Sequence, residues 1–288
     1  MKTFALLAAL ILGALFPYGY SYTFLIRYLL MIMLFFSFLD ISFDRSIITQ
    51  IHFEILLATI IVAVIAYFLI KPFDLILAEA AFITAIGPTA TGTPVVINLK
   101  KGRIEFVTFS VVLNNIVIAF ILPFFIVFLL HSSADYNLVN RLLPVLETIF
   151  LPLIAAGLIK YFLPNLWKKL ITWQNVSFYT LILNVYIAAS EASHYIWQEL
   201  NGDFKIVFPF ALTSITLCVI SFSLGWLLGG KEFRLEASQS LGQKNNAFIT
   251  WIAITFFNPI VVLGPVIYVF AQYAYISWQL YKTKPDTK

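Results

Sequence analysis

From Phe106 to Leu130 the chain runs without a charged residue, and its few polar groups are Thr108, Ser110, Asn114 and Asn115. Such a stretch suits a lipid bilayer, where about 20 apolar residues carry an α-helix across roughly 30 Å of hydrocarbon. Runs of this kind recur at approximately 3–18, 22–40, 50–70, 74–98, 104–130, 141–163, 174–197, 204–229, 232–255 and 258–281, ten in all. Of the 288 residues, 61% are hydrophobic and 11% charged, against about 25% charged in a soluble domain. The pattern predicts an all-α, multi-pass membrane protein forming a single domain over residues 1–288, with the lipid bilayer and no nucleic acid as its surroundings. The lone Cys218 excludes an intrachain disulfide. Met1-Lys2 followed by Thr3 to Phe16 has the look of a signal peptide. The sequence after it, Phe16-Pro17-Tyr18-Gly19-Tyr20, offers no small-residue cleavage site, so the run is expected to be the first spanning helix.

Charge sets the expected orientation. Lys2, Arg45, Lys100, Lys101, Arg103, Lys160, Lys168, Lys169, Lys231, Arg234, Lys282, Lys284 and Lys288 fall on one side of a ten-helix arrangement. Arg27, Lys71, Arg141 and Lys205 fall on the other. The positive-inside bias then places both termini in the cytoplasm of a bacterial inner (plasma) membrane protein. Trp167, Trp173, Trp197, Trp226 and Trp278 lie near predicted helix ends, where indoles anchor at the interface; Trp251 does not.

Two of the ten runs contain residues that do not suit a helix interior. In the fourth, Gly87-Pro88-Thr89-Ala90-Thr91-Gly92-Thr93-Pro94 removes backbone donors at two prolines and permits sharp redirection at two glycines. In the ninth, Gly242-Gln243-Lys244-Asn245-Asn246 brings amides and a lysine to membrane depth. An ionisable residue there costs roughly 2.5–3.5 kcal/mol even on lenient scales and normally faces a partner or a wet site. Irregular backbone inside a bilayer must likewise be buried in protein or line a cavity. Leu6 to Pro17 weakly echoes Leu153 to Pro164, and the two breaks are similarly spaced. The expected architecture is two five-helix repeats, about 1–133 and 134–288, inverted relative to one another, with the broken helices 4 and 9 crossing at mid-membrane. Matched interruptions in inverted repeats point to a transporter's binding site.

At these residues the chain resembles the bile acid:sodium symporters. Tyr28 to Asp40 is similar to that family's second helix. Pro88 to Pro94 with Leu99-Lys100-Lys101-Gly102 is similar to its Pro-Gly-Gly-Thr-Ala-Ser-Asn crossover and Leu-Ala-Lys-Gly exit. Leu241 to Asn246, then Phe257-Asn258-Pro259, resembles its Gly-Met-Gln-Asn-Ser helix and following Gly-Pro. The resemblance implies a secondary active transporter of a small organic anion or amphipathic solute, working by alternating access, with no cofactor. Its implied substrate and ion site comprises Thr91, Thr93, Asn114, Asn115, Ser240, Gln243, Lys244, Asn245 and Asn246. It departs from the family at the ion positions. The crossover Ser-Asn pair becomes Thr93-Pro94, and the helix 5 ligands fall at Val111 and Val112 unless Asn114 and Asn115 serve one turn later. The helix 9 glutamate falls at Ser240, with Glu236 a turn earlier, and the second-sodium glutamine falls at Lys244.

An ammonium has no acceptor and repels a nearby cation. Lys244 is therefore expected to stand in for the second Na⁺, with loss of two-sodium coupling. Reversible deprotonation of such a lysine is another route, coupling transport to H⁺. Glu79 and Glu191, inside apolar runs, are candidate charge or proton partners of Lys244. His52, His131 and His194 lack metal-ligand spacing, so no metal centre is expected. An intramembrane enzyme would need a nucleophile–base pair, paired aspartates or metal ligands at depth, and none is found. A channel is the remaining competitor, separable from a carrier by trans-stimulation.

Overall fold

In the computed structural model, residues 2–39, 48–129, 138–173, 175–199, 201 and 203–282 are described. They form helices α1 (Lys2–Leu15), α2 (Leu25–Leu39), α3 (Gln50–Ile70), α4 (Leu75–Ile86), α5 (Thr93–Leu99), α6 (Ile104–Leu129) and α7 (Leu138–Phe162). Then come α8 (Pro164–Ile171), α9 (Asn175–Glu199), α10 (Val207–Leu228), α11 (Arg234–Gly242), α12 (Asn246–Phe256) and α13 (Leu263–Lys282). Among the described residues there is no β-strand; Thr89 and Lys244 form an isolated antiparallel bridge. Among the described residues, five helical segments are long and apolar enough to cross a membrane: Gln50–Ile70, Ile104–Leu129, Leu143–Phe162, Val207–Leu228 and Pro259–Tyr281. Leu25–Leu39, Leu75–Ile86 and Asn246–Phe256 are apolar but shorter.

The helices sort into two groups by what they touch. α1, α2, α7 and α9 pack on one another, while α3, α4, α10, α11 and α13 form the other set, which holds both broken segments. Close approach within a group depends on small residues, since lipid tails give packed helices little hydrophobic advantage. A Cβ on Gly225 of α10 would lie 2.5 Å from the Ala237 carbonyl oxygen of α11. The groups meet where α12 reaches α2 and where α9 meets the 3₁₀ turn Pro259–Val262. At that first junction Arg27 of α2 donates to Glu147 (2.6 Å) and Thr148 (2.9 Å) of α7, and its guanidinium lies 5.9 Å from the Trp251 ring of α12. Arg27 and Glu147 thus meet within one part-buried network.

Several boundaries differ from expectation for identifiable reasons. Pro17–Tyr22 turns as a 3₁₀ helix, so α2 begins later than residue 22. The stretch holding Lys168 and Lys169, expected as loop, is the helix α8, with Pro164 at its start where a missing N–H costs nothing. Trp167 of α8 donates to the Leu39 carbonyl at the end of α2 (2.9 Å) and lies under the Lys160 ammonium, 5.6 Å from its ring centre. Arg45, His131, Lys284 and Lys288, used in the sequence reading, lie outside the described residues.

Candidate functional site

Both interruptions fall where the residues dictate. α4 ends at Ile86, and Gly87 leaves helical geometry (φ −48°, ψ 130°) ahead of Pro88, as a residue before proline prefers. A Cβ on Gly87 would sit 3.3 Å from the Lys244 Cβ, so the opposite chain passes close by. α11 ends at Gly242, where an added Cβ would run into the Phe222 ring of α10. Asn245 starts α12 by accepting from the Phe248 N–H (3.3 Å).

The two breaks hold each other by backbone pairing. Ala90 N–H donates to the Gln243 carbonyl (2.8 Å), and Asn245 N–H donates to the Pro88 carbonyl (2.7 Å). Groups freed by each interruption are satisfied by the other, which buried irregular backbone requires. Side chains of α6 reinforce the crossing. Thr89 Oγ1 donates to the Ser240 carbonyl (2.7 Å) and accepts from Asn114 Nδ2 (2.9 Å). Asn115 Nδ2 donates to the Thr89 carbonyl (2.9 Å), while Asn115 Oδ1 accepts from Asn245 Nδ2 (3.2 Å).

Lys244 lies in the middle of this crossing and is 2% exposed. Its N–H donates to Gln272 Oε1 (2.9 Å), which also accepts from Asn246 Nδ2 (3.1 Å). Tyr268 OH donates to the Gly242 carbonyl (2.8 Å). Glu79, buried on α4, and Glu191, half-buried on α9, form no ion pair with Lys244. Four other oxygens at the crossing are buried and unpartnered: Ser110 Oγ, Asn114 Oδ1, Ser240 Oγ and Asn246 Oδ1.

The structure thus gathers Asn114, Asn115, Ser240, Lys244, Asn245 and Asn246 into one place. Gln243 points instead along a ladder of amides: its Nε2 donates to Gln239 Oε1 (2.6 Å), and Gln239 Nε2 donates in turn to Gln279 Oε1 (2.8 Å). Lys100 donates to the same Gln279 oxygen (2.7 Å), and burial lowers its pKa from the ordinary lysine value. Thr93 serves locally, donating to the Ala90 carbonyl (2.6 Å) at the start of α5; Thr91 is half-buried in the turn and makes no hydrogen bond to the opposite break. Thr89 occupies the position at the centre. Val111 and Val112 are buried and bring no polar side chain; the Val111 carbonyl accepts from Asn115 Nδ2 (2.8 Å). Glu236 is turned away, accepting from the Arg103 N–H (2.8 Å) and so fixing the α5–α6 connection. Gln272 and Tyr268 escaped the sequence reading. Gln272, a lone amide inside the last apolar run, was the available signal.

In comparisons with known proteins, no family model and no curated protein matches the chain.

Proposed function

We propose that the chain is a secondary active transporter of a small organic anion or amphipathic solute. It works by alternating access around the crossing of α4–α5 with α11–α12, in the manner of bile acid:sodium symporters. In this reading the apolar segments make ten spans in two inverted repeats, with both termini in the cytoplasm. One observation carries the proposal: two interrupted helices exchange backbone hydrogen bonds at a buried point lined by Asn114, Asn115, Lys244, Asn245 and Asn246. A packing kink needs no second break opposite it. The start of α12 and the carbonyl ends of α4 and α11 supply partial charges of both signs to the same point.

We further propose coupling to a single cation. Ser110 Oγ, Asn114 Oδ1 and Ser240 Oγ are buried and unpartnered on residues tied to Thr89, since Asn114 donates to both Thr89 Oγ1 and the Ser110 carbonyl, and Thr89 donates to the Ser240 carbonyl. Oxygen-only donors of this kind suit Na⁺, and Lys244 supplies the second positive charge permanently. The alternative is a sodium-independent or proton-coupled exchanger or uniporter, in which Lys244 itself releases and rebinds the proton. Among the described residues no carboxylate forms an ion pair with Lys244, which supports that alternative.

The test begins with a thermal-stabilisation screen of organic anions against purified protein, in Na⁺, in K⁺ and across pH. The stabilising compound is then used in proteoliposome counterflow. A carrier shows uptake of labelled compound stimulated by unlabelled compound inside. Uptake indifferent to internal compound refutes the carrier reading.

A further inference from the structure

Directly beyond one of the long apolar segments, Leu143–Phe162, the chain turns into the short helix α8. Leu163 breaks the helix between them (φ −130°, ψ 61°) ahead of Pro164. Spacing divides α8 into two sides. At 100° per residue Leu166, Trp167 and Leu170 fall together, while Asn165, Lys168 and Lys169 fall opposite. The bundle covers only part of the apolar side. Trp167 and Leu170 pack against the core, with Trp167 tied to the end of α2 through the Leu39 carbonyl. Leu163 and Leu166 stay 51% and 40% exposed, and Phe162 before them and Trp173 after them are more exposed still.

The cations of α8 are equally open. Lys168 and Lys169 are exposed, and among the described residues their ammonium groups make no ion pair or hydrogen bond. Both occupy the last turn of α8, where they offset the negative end of the helix dipole. That role requires no uncovered leucine beside them. A short helix at the end of a membrane-crossing segment, apolar on one side and cationic on the other, has the pattern of an anchor lying in the interface on anionic lipid.

We propose that α8 lies in the membrane interface and binds anionic phospholipid, with head groups at Lys168 and Lys169 and acyl chains against Leu163 and Leu166. The proposal rests on the membrane reading of the chain and not on transport. α8 follows α7 and is bonded to the end of α2, and both belong to the helix group without the broken segments. Lipid bound at α8 therefore anchors that group, and the crossing lies in the other.

Site-resolved lipid quenching of the full chain tests this. In a Cys218→Ala background, Leu166→Cys carries a bimane label, and the protein is reconstituted with phosphatidylglycerol or phosphatidylcholine brominated in the acyl chains. Quenching at Leu166 is expected to favour phosphatidylglycerol, with a relative binding constant raised about fivefold for each lysine near the head groups. Adding Lys168→Gln and Lys169→Gln is expected to make the two lipids quench alike, a result that loss of a dipole contact alone would not give. If Leu166→Cys does not fold, as judged by helical content, the same label at Leu163→Cys decides. Equal quenching by the two lipids in the parent, or an unchanged preference in the double glutamine variant, would overturn the proposal. So would no quenching by either lipid, the result expected if a second copy of the chain or water covers α8. A label at Phe120→Cys, 57% exposed on α6, reports the membrane reading separately and is expected to be quenched equally by both lipids. None of these readouts depends on substrate, so failure here and failure of counterflow are separate results.

Discussion

Replacing Lys244 by glutamine is the perturbation that separates the ion-coupling schemes. The side chain is 2% exposed, no carboxylate among the described residues pairs with it, and unpartnered oxygens lie across the same crossing. Two like charges about 4 Å apart repel by about 4 kcal/mol at an effective dielectric constant of 20, and the repulsion falls inversely with distance. Removing the ammonium should therefore tighten cation binding at the Ser110–Asn114–Ser240 oxygens, before counting the acceptor that glutamine adds. Binding to the folded state alone raises its stability with ligand concentration, so the gain is visible as Na⁺-dependent melting. Melting curves in matched Na⁺ and K⁺ are expected to separate more widely for Lys244→Gln than for the parent. Lys244→Met removes the charge without adding an acceptor and should show the electrostatic part alone. Identical Na⁺ and pH responses in the parent and both variants would refute the role given to this lysine.

Other expected outcomes follow from contacts around the crossing. Thr89→Val leaves buried donors and acceptors unpaired at about 1–3 kcal/mol each, so its melting temperature should fall well below the parent's. Gly242→Ala drives a methyl into Phe222 at a cost of about 1–3 kcal/mol, and a second change, Phe222→Leu, should recover part of the lost melting temperature. Glu236→Ala removes the acceptor for the Arg103 N–H and should speed proteolysis or amide exchange at the α5–α6 connection, leaving α12 protected. For Lys100, burial places the folded-state pKa below the ordinary 10.5. The unfolded chain then binds more protons between those two values, so stability contributed there rises with pH toward 10.5 and is missing at lower pH. Lys100→Met should flatten that rise in melting temperature.

Much of this arrangement was readable from residue order. The paired prolines and glycines of residues 87–94 and the polar run 242–246 marked both breaks, because few apolar helices carry such residues without a reason. What periodicity does not encode is which side chain of an irregular segment turns inward. Thr89, Thr91 and Thr93 are equivalent hydroxyls in sequence. The bridge to Lys244 selects Thr89, leaving Thr93 to donate to the Ala90 carbonyl at the start of α5. Gln272 and Tyr268 are single polar residues in an otherwise apolar run, and only the packing of α13 against the breaks brings them to Lys244 and Gly242. Glu79 and Glu191, offered as charge or proton partners of Lys244, form no ion pair with it. Their positions inside apolar runs are legible in the sequence, but position along a run does not fix the direction a helical residue faces.

The central claim is that the crossing opens in turn to each side of the membrane. In a Cys218→Ala background, Ser240→Cys places one thiol at a position 1% exposed and beside Thr89. Right-side-out and inside-out vesicles are then treated with a membrane-impermeant thiol reagent. Alternating access predicts modification of this thiol from either face. Modification from neither face would mean that the crossed helices are a static packing element, and would contradict the account.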